Sequence, residues 1–526
     1  MVRIQIYDTT LRDGMQAHGV SFSVADKLAI LKCLDDLGVD YIEGGYPVSN
    51  PKEVQFFQEA SSVVLNHARL VAFGSTRRWD TTPQEDASIA ALIGSQAQVV
   101  TIVGKAWDLH VTKVLGCSLD QNLELCADSV AYLKKKGLTV FFDAEHFFDG
   151  YKANPDYAMK VLCAAAEAGA DGLVLCETNG GCLPDEVFRI TKAVCEHFGS
   201  ILVGIHAHND SDCAVANSLA AVRAGARQVQ GTINGLGERC GNANLCTIIP
   251  NLAFKMGMGV LDRQRIRMLT EVSRFVFEIS NVAPVPSMPY VGENAFAHKA
   301  GLHVDAVRKE RRAYEHIDPA LVGNVRKILI SELSGKSAVL AGLEKEQIAT
   351  DKKLARRILA RVQELEAQGY QFDAAEASFD LLVKRVIGTY RPSFDLIKYH
   401  VTVEKDKDGQ IVSEATVKLK VGDQIEYVVA EGDGPVNALD GALRRALERF
   451  YPEISQVRLI DYKVRVVNAK AGTAAKVRVI IESADKDRVW GTVGVSENII
   501  DASWQALVDS VEYKLHLGRA TGQAST

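Results

Sequence analysis

Between residue 4 and about residue 250 one pattern returns eight times: a short apolar run, a polar loop, then a segment with helical periodicity. The runs are Ile4–Tyr7, Val39–Gly44, Leu70–Gly74, Gln98–Val103, Leu138–Asp143, Gly172–Glu177, Leu202–His208 and Gln228–Asn234. A strand with one wet face alternates apolar and polar residues. Continuous apolar runs mark strands buried on both faces, as parallel strands under helices must be. Amphipathic segments such as Val24–Leu37, Leu119–Lys136 and Pro184–Phe198 lie between the runs, and Gly38, Gly137 and Gly199 follow as C-terminal caps. A doubly wound open sheet uses the same unit. Eight near-equal units with no edge-strand signature predict closure instead, so the expected fold is α/β, with a (β/α)8 TIM barrel over residues 1–262.

Past residue 260 the rhythm changes. Arg263–Ile279 reads as one helix, Pro284–Pro289 is dense in proline, and a charge-rich helical stretch runs to about Tyr390, with Lys345–Gln368 as an exposed helix or helix pair. From Phe394 the residues alternate as strands do, and Leu396–Gly422 reads as a hairpin turning at Asp408–Gly409. A helix at Val436–Phe450, strands at Val477–Glu482 and Val489–Ser496, and a last helix at Ile500–Leu515 complete an α+β domain. The expected layout is a catalytic barrel (1–262), helical linker subdomains (263–391), a C-terminal α+β regulatory and dimerisation domain (392–517) and a polar tail (518–526).

Composition narrows the class. Sixty Lys and Arg against 66 Asp and Glu leave a net charge of −6 with no basic face, which argues against nucleic-acid binding. No apolar run reaches the ~20 residues that span a bilayer, and the charged opening MVRIQIYDTTLRDG does not read as an export signal. The 10 cysteines are scattered, the closest pairs six positions apart, so CxxC sites are excluded and reduced thiols in a cytoplasm are expected.

In a (β/α)8 barrel the chemistry sits where strands end and βα-loops begin. Strand 1 runs out into YDTTLRDG, placing Arg12 and Asp13 at the mouth, and strand 7 ends in His206 and His208, which the two-residue period points to the same side. Strand 8 leads into GLGERCGNAN with Glu238, Arg239 and Asn242. Closure puts strand 8 between strands 7 and 1, so Asp13, His206, His208 and Asn242 can converge. One carboxylate, two imidazoles and an amide oxygen suit a six-coordinate divalent ion such as Mn2+, Zn2+ or Mg2+, leaving two places for a chelating 2-oxo acid. Arg12 and Thr178, at the end of strand 6, are placed for that acid's carboxylate. Glu145, after strand 5, is expected as a buried acid, base or orienting carboxylate near the metal. The plainer alternatives are a hydrogen-bonded histidine pair, a rim salt bridge for Arg12, and a rim ion pair between Glu145 and a neighbouring Arg.

The segments YDTTLRDGMQ, HAHND and GLGERCGNANL resemble the signatures of the α-isopropylmalate synthase and homocitrate synthase family. The similarity continues through Gly292–Val307, Tyr314–Gly323 and Glu431–Leu447, nearly the whole chain. The resemblance implies a Claisen-type condensation of acetyl-CoA with a 2-oxo acid. It places the metal ligands on Asp13, His206, His208 and Asn242, the oxo-acid contacts on Arg12 and Thr178, and the acid/base group on Glu145 with His303 and Tyr314. It also implies a homodimer, because in the family the linker region lies over the partner's barrel, and an amino-acid effector at the final domain. Phe141–Ala158, ETNGG after strand 6 and GTYRPSFDL look most like members that take pyruvate, whose effector would be isoleucine. DAEH stands at strand 5 where relatives with larger acceptors usually read SxED; 2-oxoisovalerate is the main competing acceptor. A carbon–carbon lyase or carboxyltransferase barrel, and a non-catalytic amino-acid sensor on the same scaffold, are the rival readings.

Overall fold

The computed structural model describes residues 2–328, 352–405, 407–467 and 475–520. The chain forms two compact units, Met1–Phe296 with His316–Arg326, and Ala297–Glu315 with Lys327–Thr526.

The first unit is a closed parallel barrel: β1 (Gln5–Asp8), β2 (Tyr41–Gly45), β3 (Arg69–Ser75), β4 (Val99–Lys105), β5 (Thr139–Glu145), β6 (Gly172–Glu177), β7 (Leu202–Ala207) and β8 (Gln228–Gly231). Closure runs through β8 and β1, with Gln5 opposite Gln228 and Asp8 opposite Gly231. Every run read as a strand forms one, with ends displaced by a few residues. The largest difference is at β8, which stops at Gly231 because Ile233–Gly235 coils into a 3-10 turn with Asn234 at φ 63°. Helix α1 (Val24–Leu37) begins at a reciprocal cap between Ser23 and Asp26 and ends at Gly38, whose φ of 89° suits glycine. Arg263–Ile279 is not one helix but two, Arg263–Ile266 and Leu269–Ile279. The break falls where the backbone of Gly323 packs so closely on the Arg267 carbonyl that no Cβ would fit.

Alternation along the strands sorts the barrel's residues. Ile6, Ile42, Ala72, Val100, Phe142, Leu173, Ile205 and Val229 face outward into the core under the helices. Tyr7, Tyr41, Val71, Val99 and Phe141, with Leu202 against them, form a separate cluster that plugs the interior. Two residues further along β2, β4 and β5 the inward positions turn polar, at Glu43, Thr101 and Asp143, and four residues past Leu202 on β7 comes His206, all buried. The apolar plug below and the polar layer above make a floor for a site at the strands' C-terminal ends.

The second unit carries a duplicated βββα element. Strands β9 (Asp395–Lys405), β10 (Ile411–Val421) and β11 (Gln424–Gly432) precede a helix at Pro435–Leu447; β12 (Arg458–Val466), β13 (Val477–Ala484) and β14 (Val489–Ser496) precede one at Ile499–Ala520. The hairpin read from the sequence is the first two strands of a three-stranded sheet, and β11 and β12 are additions. One face of the first sheet packs Ala415, Val417, Leu419 and Ala430 against Leu439, Ala442 and Leu443 of its helix. The other face leaves Ile425, Tyr427 and Val429 exposed. In the second sheet the two later strands are packed on both faces: Val479 and Ile481 meet the last helix, while Val493 and Val495 pack with Ile358, Val362, Phe372 and Phe379 from Lys352–Ala367 to Glu376–Ile387; β12 leaves Ile460, Val464 and Val466 exposed. Of the helix expected at 345–368, residues 345–351 lie outside the described residues, as do 521–526 of the tail. Among the described residues no helix is long and apolar enough to cross a membrane.

Candidate active site

The loop after β1 is wound tightly by its own polar groups. Asp8 accepts from the backbone N–H of Thr10 at 2.8 Å and from its hydroxyl at 3.0 Å. The Thr9 carbonyl receives the N–H groups of Arg12, Asp13 and Gly14 at 2.9–3.1 Å. Burial pushes the Asp8 carboxyl up to about 7. The N–H of Ile233 donates to the Thr10 hydroxyl at 2.9 Å, fastening the loop to the exit of β8. Arg12 and Asp13 are thereby held at the barrel mouth.

Asn242 reaches the same place by a route the strand order alone does not give. The loop after β8 folds back and lies along the end of β7: Asn209 N–H donates to the Gly241 carbonyl and Ala243 N–H to the Ala207 carbonyl, both at 2.9 Å, and His208 and Asn242 stand opposite each other as an isolated bridge. The Asn242 amide donates through Nδ2 to the Leu236 carbonyl at 3.2 Å, which leaves Oδ1 as its free end. A Cβ on Gly237 would collide with Asn242 Nδ2. Gly237→Ala therefore displaces the Asn242 amide, and turnover falls by roughly 10²-fold, the usual scale for a displacement of about 1 Å at a reacting centre. Gly94→Ala, at a position whose Cβ meets nothing within 4 Å, is the control, and steady-state kinetics of the two variants checks it.

Asp13, His206 and His208 converge at the barrel mouth, and Asn242 stands opposite His208. Asp13, His206, His208 and Asn242 are each at most 6% exposed. Asp13 Oδ2 lies 3.1 Å from His206 Nε2, and ligand atoms of Asp13, His206 and His208 all fall within 4.8 Å of one another. Asp13 Oδ1, His208 Nδ1 and Asn242 Oδ1 are buried without a hydrogen-bond partner among the described residues. A buried polar atom left unpaired costs ~1–3 kcal/mol, and three such atoms, two on residues of the Asp13–His206–His208 cluster and one on Asn242 opposite His208, fit a divalent cation with mixed nitrogen and oxygen donors. The electrostatics agree. Burial opposes ionisation of Asp13, yet the Arg12 guanidinium and His206 hold its carboxyl well below the usual range. Burial, helped by the neighbouring His206, pushes the His208 imidazole down to about 4, so it is neutral and keeps a lone pair to donate at neutral pH.

Arg12 does make a salt bridge, and it does so inside the mouth. Its Nε donates to Glu43 Oε2 at 2.5 Å, its Nη1 lies 3.3 Å from Asp13 Oδ2, and its guanidinium stacks 4.0 Å from the centre of the Phe73 ring. Glu43, fully buried and also bonded to the Tyr7 hydroxyl at 2.7 Å, was not among the residues picked from the sequence. Its signal was a carboxylate at the C-terminal end of a strand run, VDYIEG, the end that faces the barrel mouth. Thr178 accepts from the His146 N–H at 2.9 Å and keeps its hydroxyl proton to donate. Glu145 differs from the expectation of a buried carboxylate: it is ion-paired with Lys105 and its side chain is 24% exposed. The rim pair is formed, with a lysine rather than an arginine. The deeply buried carboxylate of β5 is Asp143, pushed up to about 7 by burial and by the charge of Glu43. His303 and Tyr314 belong to the second unit, in and just after the helix Gly301–Lys309, where their rings stack at 4.1 Å and both are exposed.

Residues 3–276 match the family described as HMGL-like, residues 290–370 the homocitrate synthase post-HMGL domain-like family, and residues 373–515 the LeuA allosteric (dimerisation) domain. Fold and site thus define an HMGL-like barrel enzyme carrying a LeuA-type domain. The chain is 55% identical to the (R)-citramalate synthase of Geobacter sulfurreducens and 55% identical to that of Aquifex aeolicus, each match covering 98% of both chains. A probable 2-isopropylmalate synthase of Methanopyrus kandleri is 33% identical over 97% of this chain and 98% of its own. The chain belongs to the (R)-citramalate synthase family.

Proposed function

We propose that this chain condenses acetyl-CoA with pyruvate and hydrolyses the thioester, releasing (R)-citramalate and CoA. The observation that carries the reading is the cluster of Asp13, His206 and His208, with Asn242 opposite His208 and three buried atoms left unpaired, in a chain similar from end to end to enzymes of that name. These four residues would hold a divalent cation (Mn2+, Zn2+ or Mg2+). When bound, it supplies Lewis-acid polarisation of the acceptor's keto group. The Arg12 guanidinium and the Thr178 hydroxyl bind the pyruvate carboxylate, a planar fork meeting a planar anion. Glu145 with His303 removes a proton from the acetyl methyl group, and Tyr314 returns a proton to the alkoxide formed by carbon–carbon bond formation. Proton transfer of this kind is worth ~10²–10⁴-fold. Water then cleaves the thioester, which makes the reaction irreversible.

The exposure of His303 and Tyr314 fits residues that serve a partner's barrel, and the open sheet face bearing Ile425, Tyr427 and Val429 fits a homodimer contact. The LeuA-type domain supports an amino-acid effector, which for this reaction is isoleucine, the end product of the pathway that citramalate enters.

The test is a thiol-release assay with acetyl-CoA and a panel of 2-oxo acids. CoA release with pyruvate, weak or absent with 2-oxoisovalerate, is the expected result. A preference for 2-oxoisovalerate makes the chain a 2-isopropylmalate synthase, the reading that the more distant relative supports.

A further inference from the structure

Behind His206 lies a polar pair that the reaction above does not use. Gln230, on β8, is fully buried. Its Oε1 is 2.9 Å from His206 Nδ1, and its Nε2 donates to Asp143 Oδ1, on β5, at 3.2 Å. A carboxamide has one end that accepts and one that donates, and its surroundings decide which end faces where. Asp143 settles this for Gln230. As a carboxylate it only accepts, and the structure sets the Gln230 Nε2 end against it. The Nε2 end is therefore turned to Asp143 and the Oε1 end to His206. A carbonyl oxygen cannot donate, so the imidazole must carry its proton on Nδ1. In the neutral ring that metal binding requires, the lone pair is then left to Nε2, the nitrogen that stands 3.1 Å from Asp13 Oδ2 in the ligand cluster.

We propose that Asp143 and Gln230 are positioning residues that fix the tautomer and ring orientation of His206 for metal binding. The proposal rests on the reading of His206 as a ligand. The contacts span three strands, and their order in the barrel explains them: β7 and β8 are neighbours, so Gln230 reaches His206 directly, while Asp143 crosses the interior from β5. Groups that orient a ligating histidine typically change metal affinity by ~10–100-fold when removed.

The experiment is titration of the full-length, metal-stripped chain with Mn2+, with free ion read by electron paramagnetic resonance and folding checked by thermal unfolding. Gln230→Leu and Asp143→Ala are each expected to raise the Mn2+ Kd by ~10–100-fold. The double variant should be no weaker than Gln230→Leu, because both act through one contact. Asp143→Asn keeps an oxygen for the Gln230 N–H and should bind within about threefold of the parent chain, which also covers the case in which Asp143→Ala does not fold. Folded variants that bind Mn2+ like the parent overturn the relay and leave the ligand reading standing; so does Asp143→Asn binding as weakly as Gln230→Leu. A parent chain that takes up no Mn2+ overturns both.

Discussion

His208→Ala abolishes turnover and leaves the barrel folded. The imidazole sits at the strand end, above the apolar plug, so its loss opens the mouth and not the core. The backbone of His208 keeps its N–H bond to the Glu177 carbonyl at 3.1 Å and its pairing with Asn242. What goes is one donor of the proposed four-residue set and, with it, tight metal binding. Metal polarisation is worth several kcal/mol, and at 1.4 kcal/mol per tenfold that is a loss of ~10³-fold or more. The unpaired Nδ1 is removed with the side chain, so the metal-free variant is at least as stable as the metal-free parent. Thiol release, metal content and thermal unfolding of metal-free samples check the three parts separately. A folded, metal-depleted variant with near-normal rate removes His208 from the ligand set.

Arg12→Ala has the second large effect, and it falls on stability as well as activity. Glu43 is fully buried, and its Oε2 loses the guanidinium, which leaves the carboxylate, among the described residues, with the Tyr7 hydroxyl at Oε1. Breaking a buried ion pair from one side costs ~3–5 kcal/mol. The same change removes the proposed carboxylate contact, so KM for pyruvate rises while KM for acetyl-CoA holds. A second substitution separates the two consequences. Glu43→Gln in the Arg12→Ala background removes the stranded charge, so urea unfolding should recover much of the lost stability while KM for pyruvate stays high. If KM recovers together with stability, Arg12 acts only as a strut for the mouth.

The barrel was legible because its signal is repeated: eight buried runs, separated by segments of helical period, some of them closed by a glycine cap, leave few alternatives. Strand order then brought residues 13, 206 and 208 together, since neighbouring strands in a closed barrel fix the position of any residue at their ends. What was less legible depends on contacts between distant segments. The fold-back of the loop that carries Asn242 depends on pairing with the end of β7, and nothing in GLGERCGNAN by itself announces that partner. Glu145 and Lys105 lie forty positions apart on adjacent strands, so their ion pair needs the register of β4 and β5. In the second unit β11 follows β10 after the two-residue turn Gly422–Asp423, and its bare outer face carries Ile425, Tyr427 and Val429, which blurs the alternation. β12 is interrupted by a register shift between Leu459 and Asp461 that breaks its two-residue period. Gln230 and Asp143 are an ordinary amide and carboxylate in sequence and acquire meaning only across the barrel.

The most direct measurement is an anomalous diffraction map of the chain crystallised with Mn2+. One strong peak per protomer is expected at the barrel mouth, within ordinary bonding distance of Asp13, His206, His208 and Asn242 and of no other side chain. A map with no peak there, or with its peak held by other residues, contradicts the account.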